Sequence, residues 1–182
     1  MADNYDKAET LYEKGLYLQA EGFFDEAITV FQEAIECDPE YEDAYFALGC
    51  VLMEDERFEE AKGIFTELEE FDPGFPMVAS FHGHTCLELG EFEEGSKDFG
   101  RALEKNAQDH FAMFGMARLA EANEEYEAAL RHIAAAIDLE SKDAEYFKLQ
   151  CRVLTELGHG TRAVIAMCSA LNLAGISGTL PN

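Results

Sequence analysis

The chain has 182 residues, enough for one compact domain or a short repeat array, and 48% of them are hydrophobic, so a core can be buried. A formal charge of −25 repels a phosphate backbone and an anionic lipid surface alike, which excludes nucleic acid and membrane lipid as natural partners. No apolar run approaches the roughly 20 residues that span a bilayer, and the first residues carry no signal-peptide pattern, so a cytoplasmic protein without membrane insertion is expected.

A period organises everything that follows. Asp38-Pro39 and Asp72-Pro73 lie 34 residues apart, and Asn106-Ala107 and Glu140-Ser141 hold the same place further on. This spacing predicts five tandem helix-turn-helix units, 8–41, 42–75, 76–109, 110–143 and 144–177, as one domain at 8–177. A lead-in at 1–7 and a tail at 178–182 flank them. Each unit should hold a helix A over its first part and a helix B over its second.

In the first unit, helix A carries Tyr12, Gly15 and Leu16, and helix B carries Phe24, Ala27, Phe31 and Ala34. The second repeats the pattern with Phe46, Gly49, Cys50 and Met53, then Phe58, Ala61, Phe65 and Leu68. The third opens on the junction Phe71-Asp72-Pro73-Gly74-Phe75-Pro76-Met77, followed by Gly83, His84 and Leu87, then Phe92, Gly95, Phe99 and Ala102. In the fourth stand Phe111, Phe114, Ala117 and Arg118, then Tyr126, Ala129, Ile133 and Ala136. The fifth has Lys148, Cys151 and Arg152, then Gly160, Ala163, Met167 and Ala170.

Two columns carry the packing logic. Position eight (Gly15, Gly49, Gly83, Ala117, Cys151) and position twenty (Ala27, Ala61, Gly95, Ala129, Ala163) are small, so paired helices can approach closely. Position twenty-four is large in most units and should wedge against the next one. A hairpin cannot bury its apolar stripe alone, so the units must stack. Asp25, Glu59, Glu93 and Glu127 suit the positive start of the B helices, and Thr161 suits an N-cap. Gly95 and Gly100 should each weaken the third B helix by about 1 kcal/mol relative to alanine.

These columns resemble the tetratricopeptide repeat, whose signature runs aromatic, Leu-Gly, Tyr, Ala, Phe and Pro. The second unit fits best, with Tyr45, Leu48, Gly49, Ala61, Phe65 and Pro73. The resemblance covers 8–177. It implies an all-α fold, an α-solenoid wound as a right-handed superhelix of five 34-residue units. It also implies a protein-binding role without enzymatic activity.

The resemblance places partner contacts in a concave groove near the second, fifth, ninth and twelfth positions of the A helices. Here that gives Tyr12, Leu16, Phe46, Cys50, Met53, Met77, His84, Leu87, Phe111 and Phe114, a lining suited to an apolar peptide or helix segment. Arg118, Lys148 and Arg152 add a basic trio. The co-chaperone subclass grips a carboxylate with Lys and Asn where this chain has Tyr12 and Leu16, so chaperone tails should not bind. Unit by unit the net charge runs −8, −9, −4, −4 and +1, which steers basic flanks of a partner toward the N-terminal half.

No cofactor is implied, and no metal. His82 and His84 stand two apart and so point to nearly opposite faces of a helix, with His82 inward and His84 in the groove. The five cysteines include no close pair. From Ala163 to the end no side chain is charged, and Val164, Ile165, Met167, Cys168, Leu171 and Leu173 cover more than one helical face. Residues 163–177 are therefore a candidate homodimer contact, unless the helix turns its alanines outward. The functional expectation is an adaptor or scaffold. A small acidic chaperone for a secreted or hydrophobic client, and a self-assembling scaffold, are the alternatives.

Overall fold

The computed structural model describes residues 2–173, and these form ten α-helices and no strand. In chain order they are α1 (Ala2–Ala20), α2 (Phe24–Cys37), α3 (Glu42–Glu54), α4 (Phe58–Phe71), α5 (Val78–Glu88), α6 (Phe92–Lys105), α7 (His110–Ala122), α8 (Tyr126–Leu139), α9 (Ala144–Glu156) and α10 (Gly160–Leu173). Odd-numbered helices are the A helices and even-numbered ones the B helices of an α-solenoid. Residues 174–177 and the tail 178–182 lie outside the described residues.

One turn geometry recurs inside every hairpin. Gly22, Glu56, Gly90, Glu124 and Gly158 all take positive φ, from 58° to 80°. Beside each, the next N–H reaches five residues back, as Phe23 N does to Leu18 O and Arg57 N to Leu52 O. These bonds satisfy carbonyls that the end of an A helix would leave orphaned. Glycine adopts this backbone freely, whereas Glu56 and Glu124 hold it against the Cβ penalty.

The helix starts follow the acids. Asp109 accepts from Ala112 N at 2.9 Å and Asp143 from Glu145 N at 2.8 Å, capping α7 and α9. Asp25, Glu59, Glu93 and Glu127 stand in the first turns of their helices. Thr161 is not a cap, because α10 already begins at Gly160. Helix α5 starts late, at Val78, behind Pro73 and Pro76; a proline disfavours helical backbone in the residue before it.

The chain divides into two compact halves, Met1–Gly95 and Ser96–Asn182, and the division falls inside α6. In the N-terminal half the core joins Ala27 and Phe31 of α2, Leu48 and Val51 of α3, Phe65 and Leu68 of α4, and Val78 of α5. A Cβ added at Gly15 would overlap the Phe31 ring, and one at Gly49 the Phe65 ring. Position eight is thus small because position twenty-four is large. Each of these fully buried phenylalanines contributes about 2–3 kcal/mol of apolar burial.

The two glycines of α6 differ. At Gly95 a Cβ would meet the carbonyl oxygen of Gly83 at 2.9 Å, whereas Gly100 has nothing within 4 Å. The first therefore permits a close helix approach, and only the second is a plain weakening. In the C-terminal half Phe99 lies beneath Gly115, and Ala117, Ala129, Ile133, Tyr146, Leu149 and Val153 form the core. Leu154, Ala163 and Ala166 close α9 against α10. A helices neighbour one another, α1 with α3, α3 with α5, and α7 with α9.

Candidate partner-binding surface

The A-helix face of the N-terminal half is more closed than the period suggests. Phe46 packs on Phe65, Phe75 and Phe81, with ring centroids 6.0, 5.3 and 4.8 Å away. It is a half-buried member of the core and not an open anchor, as is Met53. His84 and Leu87 are only 3% and 7% exposed. Helix α5 is buried at Val78, Ser80 and every residue from His82 to Leu87, so a helical face there does not mean a solvent face. His84 therefore does not lie in an open groove. Met77 is 42% exposed, but it sits ahead of α5 in a left-handed conformation and not on the helix.

What remains open lies on α1 and α3. Leu16 is 40% exposed, and Tyr12 is half-buried against Phe31. Tyr12 also meets Tyr41 at 5.4 Å, and Tyr41 meets Tyr5 at 5.9 Å, which makes a row of three rings. Glu9 and Asp43 act on the same row. Burial, then Asp43, Tyr12, Tyr5 and Glu9, push the Tyr41 hydroxyl up to about 12. Burial, Asp43 and Cys50 raise Tyr12 as well. Burial and then Glu54 push the Cys50 thiol up to about 12, so it stays protonated and inert. Gln19 of α1 donates to Glu54 of α3 at 2.7 Å and fixes the two helices together.

The repeat alignment missed Tyr5 and Tyr41. Tyr5 lies in the lead-in and Tyr41 at a unit boundary, outside the groove positions, and only their aromatic character marked them.

In the C-terminal half, Phe114 stacks on Tyr146 at 4.7 Å and the Arg118 guanidinium stands 5.9 Å from the Phe114 ring centre. Phe111 and Phe114 are half-buried. The Tyr146 hydroxyl and His110 Nδ1 are 2.7 Å apart, a pairing of α9 with α7 that sequence spacing did not suggest. Burial and the nearby Asp143 hold Tyr146 well above the usual phenol range, so its hydroxyl keeps its proton. The basic trio is not a free cationic patch. Lys148 pairs with Glu145, and Arg152 holds Glu121 through two bonds of 2.8 and 2.9 Å. Arg152 and Glu121 share a shallow cleft of about 300 Å³ with Tyr126, Cys151, Thr155 and Glu156.

Helix α10 turns its alanines inward. Ala163, Ala166 and Ala170 are buried, while Val164, Ile165, Met167, Leu171 and Leu173 are exposed and Cys168 half-exposed. The alternative of outward alanines is therefore overturned. Elsewhere, His82 and Cys86 of α5 and Glu94 of α6 bring three metal-ligating side chains together. Among the described residues no helix is long and apolar enough to cross a membrane.

A TPR-repeat family model matches residues 15–55, and two tetratricopeptide-repeat models match 42–75 and 82–165. The chain belongs to the tetratricopeptide-repeat family. Repeats of this family are protein-interaction modules and not enzymes. No curated protein matches the sequence. Solved structures of the same fold include a thermophilic tetratricopeptide-repeat protein of Thermus thermophilus, 17% identical, with a TM-score of 0.82 over 93% of each chain. MamA of Desulfovibrio magneticus is 14% identical with a TM-score of 0.72, over 96% of this chain and 98% of that one. YrrB, described as a TPR protein with an unusual peptide-binding site, is 19% identical with a TM-score of 0.62, over 97% of this chain and 91% of that one. At such identities the likeness is one of fold.

Proposed function

We propose that this tetratricopeptide-repeat protein is an adaptor that holds an apolar segment with basic flanks, supplied by another protein, on the α1–α3 face. The row of Tyr5, Tyr12 and Tyr41 beside Glu9 and Asp43 carries the reading. Tyrosines offer broad, rigid contact area, and their faces attract lysine and arginine, by about 0.5–1 kcal/mol at exposed sites. Carboxylates beside them favour the same cations, and Leu16 supplies an apolar landing next to Tyr12. The strongly acidic first two units draw such a partner in. YrrB's described peptide-binding site lends the reading support by analogy of fold. Phe111, Phe114 and Arg118 are a weaker second candidate, because Lys148 and Arg152 beside them already hold acids.

Selection of a random peptide library on the immobilised chain tests this. Enriched peptides should combine apolar residues with lysine or arginine, and the double variant Glu9→Lys with Asp43→Lys should lose them. Enrichment of acidic peptides, or enrichment unchanged in that variant, would refute the assignment.

A second reading concerns α10. Its exposed apolar face lies in the one unit whose net charge is not negative, so two copies of this acidic chain meet there with least repulsion. Self-association through Val164, Ile165, Met167, Cys168, Leu171 and Leu173 is proposed on that ground. Sedimentation should show a dimer at tens of micromolar that Ile165→Glu with Leu173→Glu dissociates; a wild-type monomer would remove it.

A further inference from the structure

His82 and Cys86 stand four residues apart on α5, so both side chains rise from one side of that helix. Glu94 comes to meet them from the first turn of α6. A ring nitrogen of His82, the Cys86 sulfur and a Glu94 carboxylate oxygen all lie within 4.8 Å of one another. Cys86 Sγ is 3.7 Å from His82 Nδ1. Two such donors on a tetrahedral zinc ion, with bonds of about 2.3 and 2.1 Å, stand about 3.5 Å apart. We propose that His82, Cys86 and Glu94 form a zinc-binding site that ties α5 to α6.

The surroundings of His82 suit a ligand. Thr66 donates its hydroxyl proton to Lys62 O at 2.8 Å, so at 3.3 Å from His82 Nε2 it can only accept. With its proton on Nε2 the ring donates to Thr66 and turns the Nδ1 lone pair to Cys86, the tautomer that a metal ligand needs. A ligating histidine characteristically donates its other N–H to an oxygen in this way. The helix contact is also set before any ion arrives. The close approach of Gly95 to the Gly83 carbonyl also brings the Gly95 backbone near Cys86, one residue from Glu94. His82 and Cys86 are buried while Glu94 is exposed, which leaves a path to the donors from the α6 side.

A cation already stands at the rim. Lys62 Nζ bonds both Glu91 and, at 2.8 Å, Glu94. An arriving zinc ion must displace it, exchanging one positive charge for two between the same carboxylates. The thiolate and imidazole donors select zinc over the hard cations magnesium and calcium, which prefer oxygen alone. This separates the site from the many surface acids of the chain. His82 and His84 point to different faces of α5, as their spacing requires; it is Cys86 that shares a side of the helix with His82.

Cobalt(II) titrated into the chelator-treated full chain tests the site. The expected result is a thiolate-to-cobalt charge-transfer band that saturates at one equivalent, is erased by zinc and is untouched by magnesium. Cys86→Ser should abolish the band. Glu94→Gln, at an exposed position that leaves the fold intact, should weaken binding by about ten- to a hundredfold, the range for losing a supporting partner or more. Lys62→Met should tighten it, by freeing Glu91 and Glu94. Absence of the band from the wild type overturns the proposal. So does affinity unchanged in both Glu94→Gln and Lys62→Met, which would put the cobalt adventitiously on another of the five cysteines, and these two variants decide the matter should Cys86→Ser fail to fold.

Discussion

Replacing Gly49 and Gly63 by alanine, one at a time, should move stability in opposite directions, although both lie inside helices of one hairpin. Gly63 is exposed on α4 with nothing within 4 Å of an added Cβ. There alanine removes the backbone entropy penalty of glycine and should stabilise by about 0.5–1 kcal/mol. Gly49 gains the same helical preference, but its Cβ would overlap three atoms of the Phe65 ring. That ring is fully buried and held by Phe46 and Phe81, so it has nowhere to retreat. Overpacking of this kind costs about 1–3 kcal/mol, and the net effect is a loss of about 1–2 kcal/mol. Urea denaturation followed by far-ultraviolet circular dichroism measures both, with the slope held common if the transitions remain parallel. If Gly49→Ala stabilises as much as Gly63→Ala, the small residue at position eight does not set the helix spacing, and the packing account fails.

Other outcomes follow from the same geometry. Glu56→Gly relieves a left-handed backbone at a turn and should raise stability by about 0.5–1 kcal/mol; a loss in urea denaturation would mean that the Glu56 side chain matters more than its φ. Gly100→Ala should stabilise and Gly95→Ala destabilise, because only the latter meets the Gly83 carbonyl; equal thermal shifts would contradict the contact. Cys50, its thiol pushed up to about 12, should resist alkylation at pH 8 in the native chain, and rapid labelling seen by mass spectrometry would show that α3 is not packed as described.

The columns of the repeat were legible because each is sampled five times: Ala27, Ala61, Gly95, Ala129 and Ala163 average away local exceptions. The open surface was less legible, for a physical reason. Helical period gives the direction of a side chain, but exposure depends on what else lies in that direction. Phe46 points where a groove residue should, yet Phe75 and Phe81 cover it. His84 and Leu87 fail in the same way on α5. Lys148 and Arg152 were read as charges without their acids, Glu145 and Glu121. Of the His82, Cys86 and Glu94 cluster, spacing along α5 could pair the first two, but not show that Glu94 meets them from α6. On α10 the pattern of alanines against large side chains did contain the answer, because small residues again mark the helix contact.

The most direct test of the central claim is the footprint of a bound peptide. Hydrogen exchange of the full chain, with and without a basic-apolar peptide selected on it, reports where the partner lies. Slower exchange confined to α1 and α3, around Tyr12, Leu16 and Asp43, is the predicted result. Slower exchange on the B helices α2 and α4 with α1 and α3 unchanged would contradict it.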